Sequence, residues 1–260
     1  MKNTTPDLVL CELSETGLAG VDSYSPFCLK VTRALRAAGL RYVSRRSERP
    51  GTFSALNPTG QVPILLVDDQ PVADSTRIVA KICELAPLAF PKSSRHEAFL
   101  WEEFADTHLN GFLVAARWAD PRNWPNVRDA YFRGAPWLVR AIIAPRIRAR
   151  VVRALVSRDV WRAGPDACWA SFTATLDALD ARAPESGFWL GDALSCGDIA
   201  IFAQLHSLRT PLTPWQASEV SARGRLVRYL DRVDAATRVG ACAPAVSPKA
   251  RAPHYQPELS

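Results

Sequence analysis

The sequence predicts an α/β half of four strands followed by an all-helical half, and three observations carry that prediction. Up to about residue 90, short apolar and β-branched runs alternate with amphipathic helix patterns. After residue 93 almost every apolar residue falls at helical spacing. Between the two, Pro87, Pro91, Lys92 and Ser93 form a break suited to a linker. The expected division is 1–90, then 93–240, with a proline- and alanine-rich tail over 241–260.

Leu8-Val9-Leu10-Cys11 is a continuous apolar run, suited to a strand buried on both faces. Pro26 to Ala38 places Phe27, Val31, Leu35 and Ala38 on one helix face, and Gly39 is set to end it. Arg41 to Ser44 reads as a second strand, and Ser54 to Pro58 as a short turn of helix stopped by proline. Ile64 to Val67 is a third strand, Asp68-Asp69-Gln70 a hairpin turn, and Pro71-Val72-Ala73 an edge strand, where proline is tolerated. Ser75 opens a helix to about Leu85. The order βαβ then ββα is a thioredoxin-like layout of four strands and three helices. In the second half, helices are expected over Glu97–Ala119, Trp137–Val156, Asp166–Ala181 and Arg223–Ala236. Asp120 to Pro125 breaks the first of these. The clearest start signal is Leu194-Ser195-Cys196-Gly197-Asp198-Ile199, with Ser195 and Asp198 as a capping box and Leu194 against Ile199 as a staple. The nearly all-apolar run that follows predicts a central buried helix.

Composition excludes several classes. With 48% hydrophobic and 22% charged residues the chain is not of the disordered type, and no apolar stretch is long enough to span a bilayer. The start of the chain is too short in apolar residues and too acidic for a secretory signal. Six cysteines without CxxC or metal-ligand spacing fit reduced thiols in the cytoplasm, and no metal site is expected. The net charge of +6 is concentrated between Arg133 and Arg162, where eight arginines face one acid. Ile143, Ile147, Val151 and Leu155 there mark an apolar stripe, with Arg146, Arg150 and Arg153 on another face, so this is an amphipathic helix whose basic side reads as solvated, with attraction of anionic ligands or membranes as the alternative. Without zinc-finger spacing or an aromatic RNA-binding signature, nucleic acid is not an expected partner. The four histidines lack metal spacing, and Trp101, Trp118, Trp137 and Trp169 are expected to pack the helical half.

Ser25-Pro26-Phe27-Cys28 at the first helix, with Val62-Pro63 and Asp74-Ser75 downstream, points to a thiol-handling site. A helix N-terminus stabilises a thiolate through its dipole and free N–H groups. Serine cannot cycle through disulfides, but its hydroxyl can donate to the thiolate of a cosubstrate. Read locally, Ser25 is also a favoured N-cap ahead of a proline at the first helical position. Cys28 lies one turn into the helix, and without a partner cysteine at position 25 it reads as a small buried hydrophobe. Val62-Pro63 is expected to be a cis joint whose valine N–H and C=O can pair with an extended ligand backbone.

Four motifs in this order, Ser25 to Cys28, Asn57 to Pro63, Asp74-Ser75, and Gly191-Asp192 leading into Ser195 to Asp198, resemble the cytosolic glutathione transferase superfamily over nearly the whole chain. Ser-Pro-Phe looks like the serine-type tau class, at the position of the omega-class cysteine. Tyr131 to Trp137 with the arginine-rich helix behind it is similar to bacterial members of a metaxin-like branch. The resemblance implies glutathione as cosubstrate, Ser25 as the thiolate donor, and Gln61, Val62, Asp74 and Ser75 as glutathione-binding residues. It also implies a homodimer and an electrophilic, largely apolar second substrate. The loop Ser14 to Tyr24 is longer than is usual before the first helix, which leaves Tyr24 as an alternative hydroxyl. A non-catalytic scaffold and a thiol oxidoreductase using Cys28 remain the rival readings.

Overall fold

The structure, a computed structural model, describes residues 6–47, 51–157 and 159–238. Strands β1 (Leu8–Leu13), β2 (Val43–Ser47), β3 (Ile64–Val67) and β4 (Gln70–Ala73) form one sheet in the order β2-β1-β3-β4. β2 runs parallel to β1, while β3 and β4 are antiparallel to their neighbours. Leu8 and Leu10 face α1 (Pro26–Ala37) and α2 (Ser75–Leu85), packing on Val31, Leu35, Ile78 and Ile82. Cys11 faces the other way, with Ile64, Leu66 and Phe53. The continuous apolar run is thus buried on both faces, as its composition requires. The hairpin between β3 and β4 turns at Asp68 and Asp69, with φ of 48° and 65°. Two-residue hairpin loops of this hand need positive φ at both positions, and aspartate tolerates it better than most residues.

Two expectations for this half are corrected. The second strand lies at Val43–Ser47 rather than Arg41–Ser44, because Val43 rather than Arg41 takes the register position opposite Val9. Residues 51–56 form successive turns instead of a helix, with Leu56 and Asn57 N–H both donating to Phe53 O, so two helices rather than three flank the sheet among the described residues. Pro58 lies too close behind for a regular helix to build.

The helical half begins with α3 (Arg95–Phe104), which continues through a π turn (Ala105–Leu109), Asn110–Val114 and a second π turn (Ala115–Ala119). Then follow α4 (Trp124–Tyr131), α5 (Ala144–Val156, entered through a π turn at Val139–Ile143), α6 (Asp159–Arg162) and α7 (Pro165–Arg182). The chain continues through α8 (Cys196–Leu208), α9 (Pro214–Ser221) and α10 (Gly224–Arg238). Three short helices, α4, α6 and α9, were not expected from the sequence; each is too brief to show a repeat. α8 is buried nearly all round and ends the α/β core through Ile199, so the two halves share one continuous packing region.

The basic helix is also corrected. Ile143 and Ile147 are 41% and 38% exposed, and the buried residues are Ala144 and Leu155. Arg148 turns inward instead, with its guanidinium over the Trp124 ring and Nε donating to Trp118 O at 2.8 Å. Trp137 is 77% exposed and takes no part in the core, whereas Trp101 and Trp169 pack against it. The predicted tail beyond Arg238 lies outside the described residues.

Candidate active site

The loop ahead of β3 braces itself. Asn57 Nδ2 donates to Gln61 O at 2.9 Å, Thr59 N–H donates back to Asn57 Oδ1, and Gly60 sits at φ 68°. This delivers Val62 to a cis peptide bond with Pro63, directly before Ile64 enters the sheet opposite Cys11 and Ala73. Across the hairpin, Asp74 holds φ 79° and ψ 129°, a conformation that L side chains seldom adopt. Its Oδ1 accepts the N–H groups of Thr76 and Arg77 at 3.0 and 3.1 Å, capping α2, and its Oδ2 has no hydrogen-bond partner among the described residues. Ser75 follows as the first residue of α2 and is nearly buried.

Gln61, Val62, Asp74 and Ser75 therefore line one cavity of about 370 Å³, together with Phe27 and Arg77. The wall combines a carboxylate oxygen, a hydroxyl, a helix N-terminus and a guanidinium. Arg77 makes no ion pair among the described residues. Sequence reading missed it; its place two residues after Ser75, in the first turn of α2, is the only local signal.

Ser25 stands outside that wall, two residues before Phe27, as the N-cap of α1. Its Oγ accepts the Cys28 N–H at 3.2 Å and its own N–H donates to Ser23 Oγ at 3.1 Å. Accepting with one lone pair leaves the hydroxyl proton to donate elsewhere. The long loop before it is docked on the helical half. Thr16 Oγ1 donates to Val21 O, and Val21 packs with Val127, Ala130 and Leu212. The Tyr24 hydroxyl lies 3.3 and 3.2 Å from Thr16 O and Ala130 O, so its proton is directed at backbone acceptors rather than at a ligand. Buried Arg117 locks the same segment, donating from Nη1 to Tyr24 O and Tyr131 Oη and from Nη2 to Ser207 O.

Cys28 is fully buried, and burial pushes its thiol up to about 12, with the neighbouring Ser25 side chain and the Leu13 backbone lowering it by less. At neutral pH it presents neither a thiolate nor an accessible sulfur.

A second cavity, of about 620 Å³, shares Phe27 and Gln61 with the first and is otherwise walled by the helical half. Its lining includes Thr107, His108 and Asn110 from α3, with Val160 from α6. The π turn at Ala105–Leu109 lies on this wall, where such bulges re-aim side chains. Gly111 permits the close approach of α6, since a Cβ there would come within 2.7 Å of Val160 Cγ2. His108 sits between the Phe104 and Phe112 rings, and burial holds its imidazole below the usual range, hence neutral at pH 7. None of these residues was singled out by sequence. The one available signal was the five-residue step from Phe104 to Leu109 in a row otherwise spaced by four.

Comparison with known proteins agrees with this architecture. Residues 24–85 match the family model described as glutathione S-transferase, N-terminal domain, and residues 129–232 match glutathione S-transferase, C-terminal domain. An isoprene-epoxide–glutathione S-transferase of Rhodococcus sp. (strain AD45) is 23% identical over 222 residues, covering 82% of this chain and 93% of the relative. A glutathione-transferase-like protein from Pseudomonas syringae superposes with a TM-score of 0.59 at 16% identity, covering 98% of this chain and 78% of the other. A β-etherase from Sphingobium sp. strain SYK-6 gives 0.56 at 20% identity, covering 90% and 98%. A Pseudomonas fluorescens family member solved with two glutathione molecules bound gives 0.54 at 18% identity, covering 90% of each chain. With both halves matched in order, and with a shared fold over most of its length, the chain belongs to the glutathione transferase superfamily.

Proposed function

We propose that the protein joins the thiol of glutathione to a small electrophile, with Ser25 donating a hydrogen bond to the thiolate. The observation that carries this reading is the pair of adjoining cavities that share Phe27 and Gln61, one with glutathione-like polar chemistry and one faced by the helical half. In the first, the Val62 N–H and C=O pair with the cysteinyl backbone of glutathione in strand fashion. Ser75 and the α2 N-terminus take the γ-glutamyl carboxylate, Asp74 Oδ2 its ammonium, and Arg77 the glycyl carboxylate. Gln61, on the shared wall, contacts glutathione from the side of the second substrate.

Glutathione's thiol titrates near ~8.5 when unperturbed, so little thiolate exists at pH 7. One hydroxyl donor plus the α1 N-terminus lowers that value, and a thiolate held beside the second cavity is positioned to attack. The second cavity takes an electrophile with an apolar body, lying on Phe27 and Val160, and an oxygen near Thr107, His108 and Asn110. An epoxide has this chemistry and is also named in the substrate of the Rhodococcus relative. The sulfur–carbon bond forms as the carbon–oxygen bond breaks, and the oxygen takes up a proton. A cytoplasmic homodimer belongs to the same proposal through the family resemblance. No helix among the described residues is long and apolar enough to cross a membrane.

Conjugation of a small epoxide and of a chloro-nitroaromatic should be measured with wild type, Ser25→Ala and Cys28→Ala. Loss of rate in Ser25→Ala with Cys28→Ala near wild type is expected; undiminished conjugation in Ser25→Ala removes the serine from the mechanism. Absence of any thermal shift with millimolar glutathione would favour the scaffold reading. Sedimentation of the full chain tests the dimer.

A further inference from the structure

We propose that Cys83 and Cys196 form a redox site, oxidised by a low-molecular-weight disulfide such as glutathione disulfide to an internal bridge between the α/β and helical halves. The two sulfurs lie 3.7 Å apart, 113 residues apart in sequence, on the last turns of α2 and at the first residue of α8. A disulfide bond of about 2.05 Å needs only a small approach from there. Both residues are partly exposed, and both line a cavity of about 330 Å³ at the junction of α2, α3 and the start of α8, which gives a small disulfide a route to them. This cavity runs along α2 from Thr76 to Glu84 and shares no lining residue with the proposed glutathione site.

The described cysteines are sharply unequal. Burial pushes Cys11 up to about 11 and Cys28 and Cys168 up to about 12, which silences them at neutral pH. Cys83 alone among them is lowered, to about 7, chiefly by the hydrogen bond from the Cys196 thiol and further by nearby Arg95, against burial, Glu102 and Glu84. Cys196 is correspondingly raised, first by its hydrogen bond with Cys83 and then by burial and the Cys83 charge. Arg95, on the wall of the same cavity, favours the anion at Cys83, and this assigns the roles. The Cys83 thiolate attacks one sulfur of glutathione disulfide, forming a Cys83–glutathione mixed disulfide and releasing one glutathione thiolate, which takes up a proton. With the Cys83 anion gone, the main cause holding Cys196 protonated is gone as well. Cys196 then loses its proton and attacks the Cys83 sulfur, forming the Cys83–Cys196 bond and expelling the second glutathione. Counting the proton that Cys83 released to solvent on ionising, the protein loses two electrons and two protons, and one glutathione disulfide becomes two glutathione thiols.

The capping box fixes Ser195 and hence the start of α8, so Cys196 is held in place for the second attack. Closing a chain segment of this length restricts the unfolded state strongly and stabilises the folded one.

The test uses the full chain, incubated with glutathione disulfide, quenched in acid and mapped by non-reducing peptide mass spectrometry. The expected result in wild type is a linked Cys83–Cys196 peptide, reversed by dithiothreitol, with a melting temperature several degrees higher in the oxidised protein. Cys196→Ser should stop at glutathione on Cys83, and Cys83→Ser should carry neither product at this pair. The wild-type arm needs no variant to fold. A free Cys83 after full exposure overturns the proposal. So does a Cys83–glutathione adduct that never proceeds to the bridge, or modification confined to other cysteines, Cys242 included. None of these readouts depends on conjugation, so failure here and failure of the proposed activity are told apart.

Discussion

The Ser25 oxygen accepts the Cys28 N–H and keeps a proton to give away, so one substitution removes two separate effects. Ser25→Ala should cost about 1 kcal/mol of stability through the lost cap. A hydrogen bond to a charged partner is worth about 1.5–3 kcal/mol, so kcat/KM for conjugation should fall about 10- to 100-fold, and its pH profile should move up towards ~8.5. Ser25→Asp separates the effects. Aspartate caps a helix as well as serine does, but it sets a negative charge against the thiolate, so melting should hold while conjugation is lost. At Asp74 the same logic applies to binding. Asparagine keeps an oxygen for the Thr76 and Arg77 N–H groups and tolerates φ 79°, but carries no charge. Asp74→Asn should leave the melting curve near wild type and raise KM for glutathione about 5- to 10-fold. A fall in stability with unchanged KM would make Asp74 a cap alone.

Among the elements, α8 shows how local sequence and distant packing divide the work. Ser195 and Asp198 form the capping box that their spacing announces. Asp198 does more than cap: fully buried, it also accepts the Trp189 N–H and the Tyr229 hydroxyl, both at 2.7 Å. Removing those acceptor oxygens leaves four donors facing no partner, so Asp198→Ala should destabilise by about 3–5 kcal/mol in chemical denaturation. Tyr229→Phe removes one donor only and should cost about 1–2 kcal/mol. The box was legible because its residues lie three apart; Trp189 and Tyr229 were not, because they come from separate elements. The same divide runs through the candidate site. Val62-Pro63 and Asp74-Ser75 could be read because a peptide joint and a helix start are local events. Arg77, Thr107 and Asn110 could not, since their place on a wall depends on Phe27 of α1 and the loop before β3 being brought opposite them. The arginine-rich helix misled for a related reason. Its isoleucine stripe has the right period, but Ile143 and Ile147 stay exposed, and Arg148 takes the Trp124 face instead.

The two halves of the molecule are held together by charges that neither half could bury alone. Lys30 of α1 is 1% exposed, donates to Glu102 at 2.8 Å and is paired with Asp106, both on α3. Asp106 in turn accepts from Gln204 of α8 at 3.2 Å and lines the second cavity, so the ion cluster also braces the wall of the proposed substrate site. Burial opposes the ammonium, but Asp106 and Glu102 together outweigh it and hold Lys30 above its ordinary 10.5. Burial raises Glu102 above its ordinary 4.5, and Lys30 beside it opposes that rise. For a lysine raised on folding, the stabilising contribution is complete below its unfolded value and is lost as pH rises through the folded one. Wild type should therefore weaken above pH 10.5. Lys30→Met removes that alkaline decline and strands two carboxylates at the junction, at a cost of about 3–5 kcal/mol at neutral pH. Because buried Glu102, without its cation, binds a proton more tightly folded than unfolded, this variant should regain stability as pH is lowered towards 5, opposite to ordinary acid weakening. Neutralising all three, with Lys30→Met, Glu102→Gln and Asp106→Asn together, should recover most of the loss and flatten the pH dependence in urea titrations. If the single variant loses stability but shows no acid recovery, its defect lies in packing and the charge account of the junction is wrong.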